Sequence, residues 1–165
     1  MISALNNLQP EIKNFPQKLL IGKKVIMSLA SDKTQELWRS FMTGKSRILN
    51  SVGTDLYALR TYPSGYWKNF GFGNSFEKWA LTEVSDHDTV PENVEKFVLP
   101  SGLYAVFHYK GSNTDPAIFR YIYQTWLPSS NYDLDDRPHF EILGAKYKNG
   151  DPESEEEIFI PIVKK

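Results

Sequence analysis

A run of glutamates leads directly into an apolar, β-prone segment at the C-terminus, in the stretch ESEEEIFIPIVKK that starts at Glu153. Side chains alternate between the two faces of a strand, so parity divides this segment. One face carries the bulky side chains of Ile158, Ile160 and Ile162. The other face carries Glu157, Phe159 and Pro161. The pattern therefore predicts a carboxylate beside an aromatic ring on the face turned away from the bulky isoleucines.

A carboxylate among aromatic rings favours one class of ligand. Burial costs an acid several kcal/mol unless the charge is compensated, and it raises the pKa of the acid. The coulombic attraction of a cation 4 Å away is about 4 kcal/mol at an effective dielectric near 20. Contact of the cation with a ring face adds about 0.5–2 kcal/mol. Glu157 is therefore a candidate recogniser of flat, lipophilic cations. The alternative is that Glu157 lies at a solvated strand end, as we expect for Glu155, which is nearer the loop.

Composition limits the possible classes of protein. The chain has 165 residues, a formal net charge of -1 and no cysteine, so we expect one domain with neither a strong basic field for nucleic acid nor a disulfide framework. It has neither an apolar run of roughly 20 residues nor a signal peptide, which favours a cytoplasmic protein without a membrane partner. Aromatic residues make up 14% of the chain, enough for a packed core or for a pocket lined with rings.

The same order of elements occurs twice along the chain. The first half predicts a strand over 18–30, a helix after Ser31 or Asp32 that ends at Gly44, and strands over 56–62 and 76–84. The second half predicts a strand over 103–109, a helix from about Thr114 that ends at Pro128, and two strands in HFEILGAKYK and EEIFIPIV. We interpret residues 1–165 as one domain with pseudo-repeats at about 18–86 and 97–163. The expected fold is α+β: tandem strand–helix–strand–strand units in an antiparallel sheet, with the helices on one face and a ligand cleft on the other.

Four segments carry a resemblance to a known family: FEKWALTEVSD, LPSGLYAVFHYKG, FRYIYQTWLPSSNYDLDDRPHFEILGAKYKN and SEEEIFIPI. Over roughly residues 18–163 the chain resembles the GyrI-like effector-binding family, which includes the C-terminal ligand domains of multidrug-responsive regulators of the AraC and MerR classes. The resemblance implies a cleft between the two repeats and a functional acid in the last strand, at Glu157.

The resemblance and strand parity together select the candidate ligand-binding residues. Family positions at Trp79 and Tyr104 imply walls of the cleft, and parity adds His108 to the face of Tyr104. Phe140 in the preceding strand and Phe159 beside Glu157 complete the candidate set. Glu141 is the rival acid, and it ranks below Glu157 because parity places it opposite Phe140.

Three functions follow as hypotheses. The first is a protein that captures flat aromatic or lipophilic cationic compounds, such as drugs or toxins. The second, which follows from the resemblance, is a hydrolase of cyclopropane-bearing aromatic toxins, with Glu157 as general acid–base and Tyr104 and Trp79 holding the substrate. The third is a regulatory or gyrase-interacting partner protein, as in other members of the family.

Several motifs are missing from the sequence. The segment before Lys18 is too short for a helix-turn-helix, so we expect a free-standing member of the family with no direct nucleic-acid partner. The histidines His87, His108 and His139 are scattered, and no glycine-rich phosphate loop or Gly-x-Ser-x-Gly elbow occurs. We therefore expect no metal and no cofactor.

Overall fold

The structure is a computed structural model that describes residue 5 and residues 7–165. Nine strands form one sheet: β1 (Glu11–Phe15), β2 (Lys18–Met27), β3 (Ser51–Thr61), β4 (Phe76–Val84), β5 (Glu95–Leu99), β6 (Gly102–Lys110), β7 (Tyr132–Leu134), β8 (His139–Leu143) and β9 (Glu155–Lys164). The helices are α1 (Thr34–Gly44), with a 3-10 turn at Lys45–Arg47, and α2 (Ala117–Tyr121), which continues through a π-helical segment (Ile122–Trp126) into α3 (Leu127–Ser129).

The strands lie in the order β1-β6-β9-β8-β3-β4-β2-β5, with β7 paired to the end of β9, and every pairing is antiparallel. The order strand–helix–strand–strand occurs as β2-α1-β3-β4, and again from β6 through α2 and α3 to β8 and β9, with β7 inserted. The expected α+β fold with tandem units is therefore confirmed.

Two short connections make the sheet curl. Only Pro16 and Gln17 join β1 to β2, although these strands lie six positions apart in the sheet. A flat sheet would separate them by about 29 Å, whereas three extended residue steps reach about 11 Å. Pro100 and Ser101 impose the same limit between β5 and β6. The sheet edges must therefore bend toward each other, and we call the inner surface the concave face.

Helix α1 and the continuous helix formed by α2 and α3 pack on the opposite, convex side. Leu37 and Phe41 of α1 contact Ile21 and Ala80 in one buried cluster. A second buried cluster joins the later helical segments to β6 and β9, with Ile118, Ile122, Trp126, Phe107, Ile158, Ile160 and Ile162 among its members. The isoleucine face predicted for the last strand is thus the helix-packed face.

Details at the helix ends differ from the sequence-based expectations. Neither Ser31 nor Asp32 is the N-cap of α1, which is Lys33; instead, the carboxylate of Asp32 accepts a hydrogen bond from the backbone N–H of Thr34 at 2.9 Å. Pro128 does not end its helix, which continues to Ser129. The π-helical segment ends at Trp126, two residues before Pro128, and contains the carbonyl four residues before the proline; its wider turn relieves the clash of the proline ring with that carbonyl. The short strands β1 and β7 were not predicted.

Gly22 lies where β2 passes close to the backbone of β4. A Cβ atom at Gly22 would collide with the carbonyl oxygen of Ala80. We expect Gly22→Ala to lower the free energy of unfolding by about 2–4 kcal/mol, because paired backbone cannot move aside. Urea unfolding of Gly22→Ala and of Gly73→Ala, where an added Cβ meets nothing within 4 Å, provides the test. Equal stability of the two variants would contradict the close approach.

Candidate ligand site on the concave face

Aromatic side chains pack against each other on the concave face. We call this set the ring cluster; its members are the buried Tyr57, Trp79, Tyr104, Phe140 and Phe159 and the half-buried Phe15 and Phe97. The rings of Phe140 and Phe159 stack with centroids 4.5 Å apart. Tyr104 meets both of these rings edge-on, at 5.3 Å and 6.0 Å. Phe97 meets Trp79 at 5.0 Å.

The structure brings four of the predicted ligand-binding residues into the ring cluster: Trp79, Tyr104, Phe140 and Phe159. It does not bring His108 there. The His108 side chain is 63% exposed and its Nε2 lies 2.8 Å from the Glu155 carboxylate. His108 therefore lies at the rim of the concave face, where it is paired with an acid.

Glu157 lies next to the ring cluster, half-buried and two residues before Phe159 on the same face. In the strand register it is opposite His108 of β6 and Ile142 of β8. Burial raises the pKa of the Tyr57 hydroxyl, and the negative charges of Glu83, Asp55 and Glu157 raise it further. These three carboxylates therefore lie near Tyr57 at one end of the concave face, where Glu83 is paired with Lys18.

Most glutamates of the concave face are already paired. Five have a basic partner within 4.0 Å: Glu11 with Lys13, Glu77 and Glu95 with Lys24, Glu83 with Lys18, and Glu155 with His108 and Lys146. Within the described part of the chain, Glu157 has no Lys, Arg or His nitrogen within that distance. Its charge therefore remains uncompensated by the protein at the edge of the ring cluster.

The rival acid Glu141 lies on the convex side and is fully engaged. Arg60 donates two hydrogen bonds to its carboxylate, from Nη1 at 2.8 Å and from Nη2 at 2.6 Å. Both side chains are about 10% exposed or less. Burial opposes the charge of Arg60, but Glu141 holds the Arg60 pKa well above its ordinary value. A paired, buried carboxylate of this kind is unsuited to bind a ligand from solution.

Glu156, the residue before Glu157, points to this convex-side pair. Its side chain is buried, and burial raises its pKa to about 7, with Glu141 adding to the rise and Arg60 and Lys78 opposing it. Close by, Tyr123 shares a 2.8 Å hydrogen bond with Nδ1 of His139. Adjacent glutamates therefore lie on opposite faces of the sheet in different environments.

Open space adjoins the ring cluster at one end. A cavity of about 340 Å³ is lined by Ile26, Thr61, Tyr62, Pro63, Ser75, Phe76 and Glu77. The indole Nε1 of Trp79 donates a 3.2 Å hydrogen bond to Glu77. The cavity thus borders the ring cluster through this hydrogen bond, whereas the interior of the cluster is filled by its own side chains.

Sequence reasoning missed three members of the ring cluster: Phe15, Tyr57 and Phe97. Parity within β3 could have identified Tyr57, because Tyr57 and Leu59 alternate with Leu56 and Ala58. Phe15 and Phe97 lie on five-residue edge strands, which are too short to give a clear alternating pattern.

The described residues offer neither a metal-binding cluster nor a membrane-spanning helix. They contain no group of three or more His, Cys, Asp or Glu side chains arranged to hold a metal ion. In the same part of the chain, no helix has the length and apolar character needed to cross a membrane.

The family match assigns this curled antiparallel sheet, with helices outside and a ring cluster inside, to the effector-binding domains. The chain belongs to the Cass2 family of integron-associated effector binding proteins, which matches residues 11–162. This family is related to the GyrI-like domains of multidrug-responsive regulators. The broader expectation is therefore confirmed, whereas the particular family is Cass2.

Among the relatives is the transcriptional regulator BrlR of Pseudomonas aeruginosa, 26% identical over 164 residues; the match covers 96% of this chain and 57% of BrlR. The integron cassette protein VCH_CASS2 of Vibrio cholerae has a similar structure, with a TM-score of 0.65, 20% identity and coverage of 94% of this chain and 96% of that one. SAV2435, solved with bound tetraphenylphosphonium, gives a TM-score of 0.67 at 15% identity, with 94% of each chain covered. EcmrR, in a DNA complex, gives 0.68 at 19% identity, covering 95% of this chain and 58% of EcmrR.

These relatives leave some expectations open. EcmrR is part of a DNA complex, so the expectation of no nucleic-acid partner for this chain stays a prediction. The hydrolase and gyrase-partner hypotheses and the cytoplasmic location also stay predictions.

The raised pKa of Glu156 can be tested through the pH dependence of the free energy of unfolding. Between its ordinary value of 4.5 and the folded value of about 7, the folded state holds more protons than the unfolded state, so stability from this group falls as pH rises. We expect Glu156→Gln to change the free energy of unfolding little near pH 4.5. Near pH 8 it should raise stability by on the order of 3 kcal/mol.

The measurement is urea unfolding from pH 4.5 to 8, plotted as the difference between variant and wild type. The difference is needed because His139, whose pKa burial and Arg60 hold well below its ordinary value, contributes with the opposite sign. The loop glutamate Glu153, 71% exposed, supplies the control Glu153→Gln. A difference curve for Glu156→Gln as flat as the control curve would refute the assignment.

Proposed function

We propose that this protein captures flat aromatic or lipophilic cationic compounds on its concave face, with Glu157 as the acid that selects for positive charge. The observation that carries the proposal is the uncompensated carboxylate of Glu157 beside the ring cluster. The other glutamates of this face lie within 4.0 Å of a basic group, so Glu157 is the glutamate best able to gain from an added cation.

The electrostatics supports a cation over a neutral or anionic ligand. A half-buried carboxylate has lost part of its hydration without gaining an ionic partner, so an arriving positive charge gains most of its attraction there. Phe159 and Phe140 are at most 1% exposed, so their faces and edges become available to aromatic groups only when a covering side chain moves aside. Ring faces also attract cations. Asp55, whose charge also acts on the Tyr57 hydroxyl, adds a second carboxylate to the same face.

A relative supports the ligand class. SAV2435 is described with tetraphenylphosphonium bound, a cation whose charge is enclosed by four phenyl groups. That ligand combines the two properties that the concave face of this chain favours, aromatic surface and positive charge. The ligand belongs to SAV2435, and its transfer to this chain is part of the proposal.

The test compares two ions of the same shape and opposite charge. We expect tetraphenylphosphonium to bind wild-type protein more tightly than tetraphenylborate by calorimetric titration, because the carboxylates of this face repel the anion. Glu157→Gln should weaken tetraphenylphosphonium binding about tenfold, through loss of the attraction at Glu157. The same variant should bring the two affinities closer together.

Glu155→Gln is the matched control, since Glu155 lies on the same strand and face but is already paired with His108 and Lys146. We expect this variant to change the affinity less than about twofold. If both variants bind tetraphenylphosphonium as tightly as wild type, Glu157 has no role in selection. If wild type binds neither ion, the proposed function is wrong.

A further inference from the structure

The ring cluster leaves little room for a ligand as it stands. Tyr104, Phe140 and Phe159 are each at most 1% exposed. A ligand that stacks on these rings must therefore take the place of a protein group. The question is which group can move at the least cost to the fold.

Phe15 meets that requirement. Its half-buried ring lies on the inner side of the cluster, with centroids 4.9 Å from Phe159, 5.5 Å from Phe140 and 6.2 Å from Tyr104. It comes from β1, a five-residue edge strand that pairs with β6 alone. Edge strands with few partners open at lower cost than central strands.

A positive charge accompanies this ring. The ammonium group of Lys18 lies 5.7 Å from the Phe15 ring centroid and 3.4 Å from the Glu83 carboxylate. The ammonium group of Lys13, also on β1, lies 5.9 Å from the Phe159 ring centroid. An aromatic ring and two cations from the β1–β2 segment thus occupy the concave face.

We infer that Phe15 and Lys18 act as an internal ligand: they fill the aromatic and cationic positions that a captured compound takes over when it displaces them. The inference rests on the proposed function and deepens it, because it identifies residues that set affinity and charge preference. A ligand that brings both an aromatic group and a positive charge replaces both contacts. A ligand without a positive charge cannot replace Lys18, which then stays beside the Glu83 carboxylate.

Two variants test the two parts of the internal ligand, and each is titrated with tetraphenylphosphonium and with tetraphenylborate. Phe15→Leu removes the competing ring while it keeps an apolar side chain, and we expect tetraphenylphosphonium to bind about 3- to 10-fold tighter. Lys18→Met removes the competing charge while it keeps the apolar stem. It should tighten tetraphenylphosphonium binding about 2- to 5-fold and weaken tetraphenylborate binding.

The controls lie on the convex side. Phe119 is a partly buried phenylalanine of the helix-packed cluster. Lys23 donates a hydrogen bond to Ser40 of α1 on the convex side. Phe119→Leu and Lys23→Met should leave both affinities within about twofold of wild type. Thermal unfolding of every variant establishes that the compared proteins are folded.

Hydrogen exchange supplies a readout independent of affinity. If a ligand displaces Phe15, backbone amides within 11–15 should exchange faster when tetraphenylphosphonium is bound, because β1 loosens from β6. Most ligands slow exchange near their site, so faster exchange confined to β1 identifies displacement. Slower exchange at 11–15 would show that β1 closes over the ligand instead, and would overturn the inference.

The outcomes separate the two proposals. Weaker or unchanged tetraphenylphosphonium binding by Phe15→Leu makes Phe15 a wall of the site or a bystander, and overturns the internal ligand. If Glu157→Gln still weakens binding in that case, the proposed function stands without it. If wild type does not bind tetraphenylphosphonium at all, the proposed function fails and the internal ligand fails with it.

Discussion

Two connections of two residues each hold the two ends of the sheet together, and the rest of the molecule depends on that constraint. Because Pro16–Gln17 and Pro100–Ser101 are too short to cross a flat sheet, the sheet curls and gains an inside and an outside. The helices cover the outside. The inside collects aromatic side chains from seven strands, including both edges, which a flat sheet would keep far apart.

Curling also gives neighbouring acids different chemistry. Glu156 and Glu157 are adjacent in sequence, yet one faces the Arg60–Glu141 pair under the helices and the other faces the concave side. The first acid holds its proton near neutral pH because its surroundings are buried and already negative. The second is half-buried without an ionic partner, which suits capture of a cation. Strand alternation places the two acids on different faces, and the curl of the sheet gives those faces different surroundings.

Local alternation made part of the site predictable, since parity placed Phe159 on one face with Glu157, whereas Tyr104 was selected through the family resemblance and Phe140 through its place in the preceding strand. What the sequence did not reveal depends on contacts between distant segments. The pKa of Glu156 is raised by burial and by the charge of Glu141 on another strand, and no local pattern encodes either. Phe15 was missed because a five-residue edge strand carries too few side chains to display a period. His108 has the right parity but lies at the rim, where position along the strand decides exposure.

The two halves of the chain exchange their leading strands: β1 completes the sheet of the second half beside β6, and β5 completes the first beside β2. Either half isolated from the other would lose a strand at its margin and expose backbone groups that need partners. The duplicated architecture is thus interlocked through these pairings, and we expect the two halves to unfold as one cooperative unit.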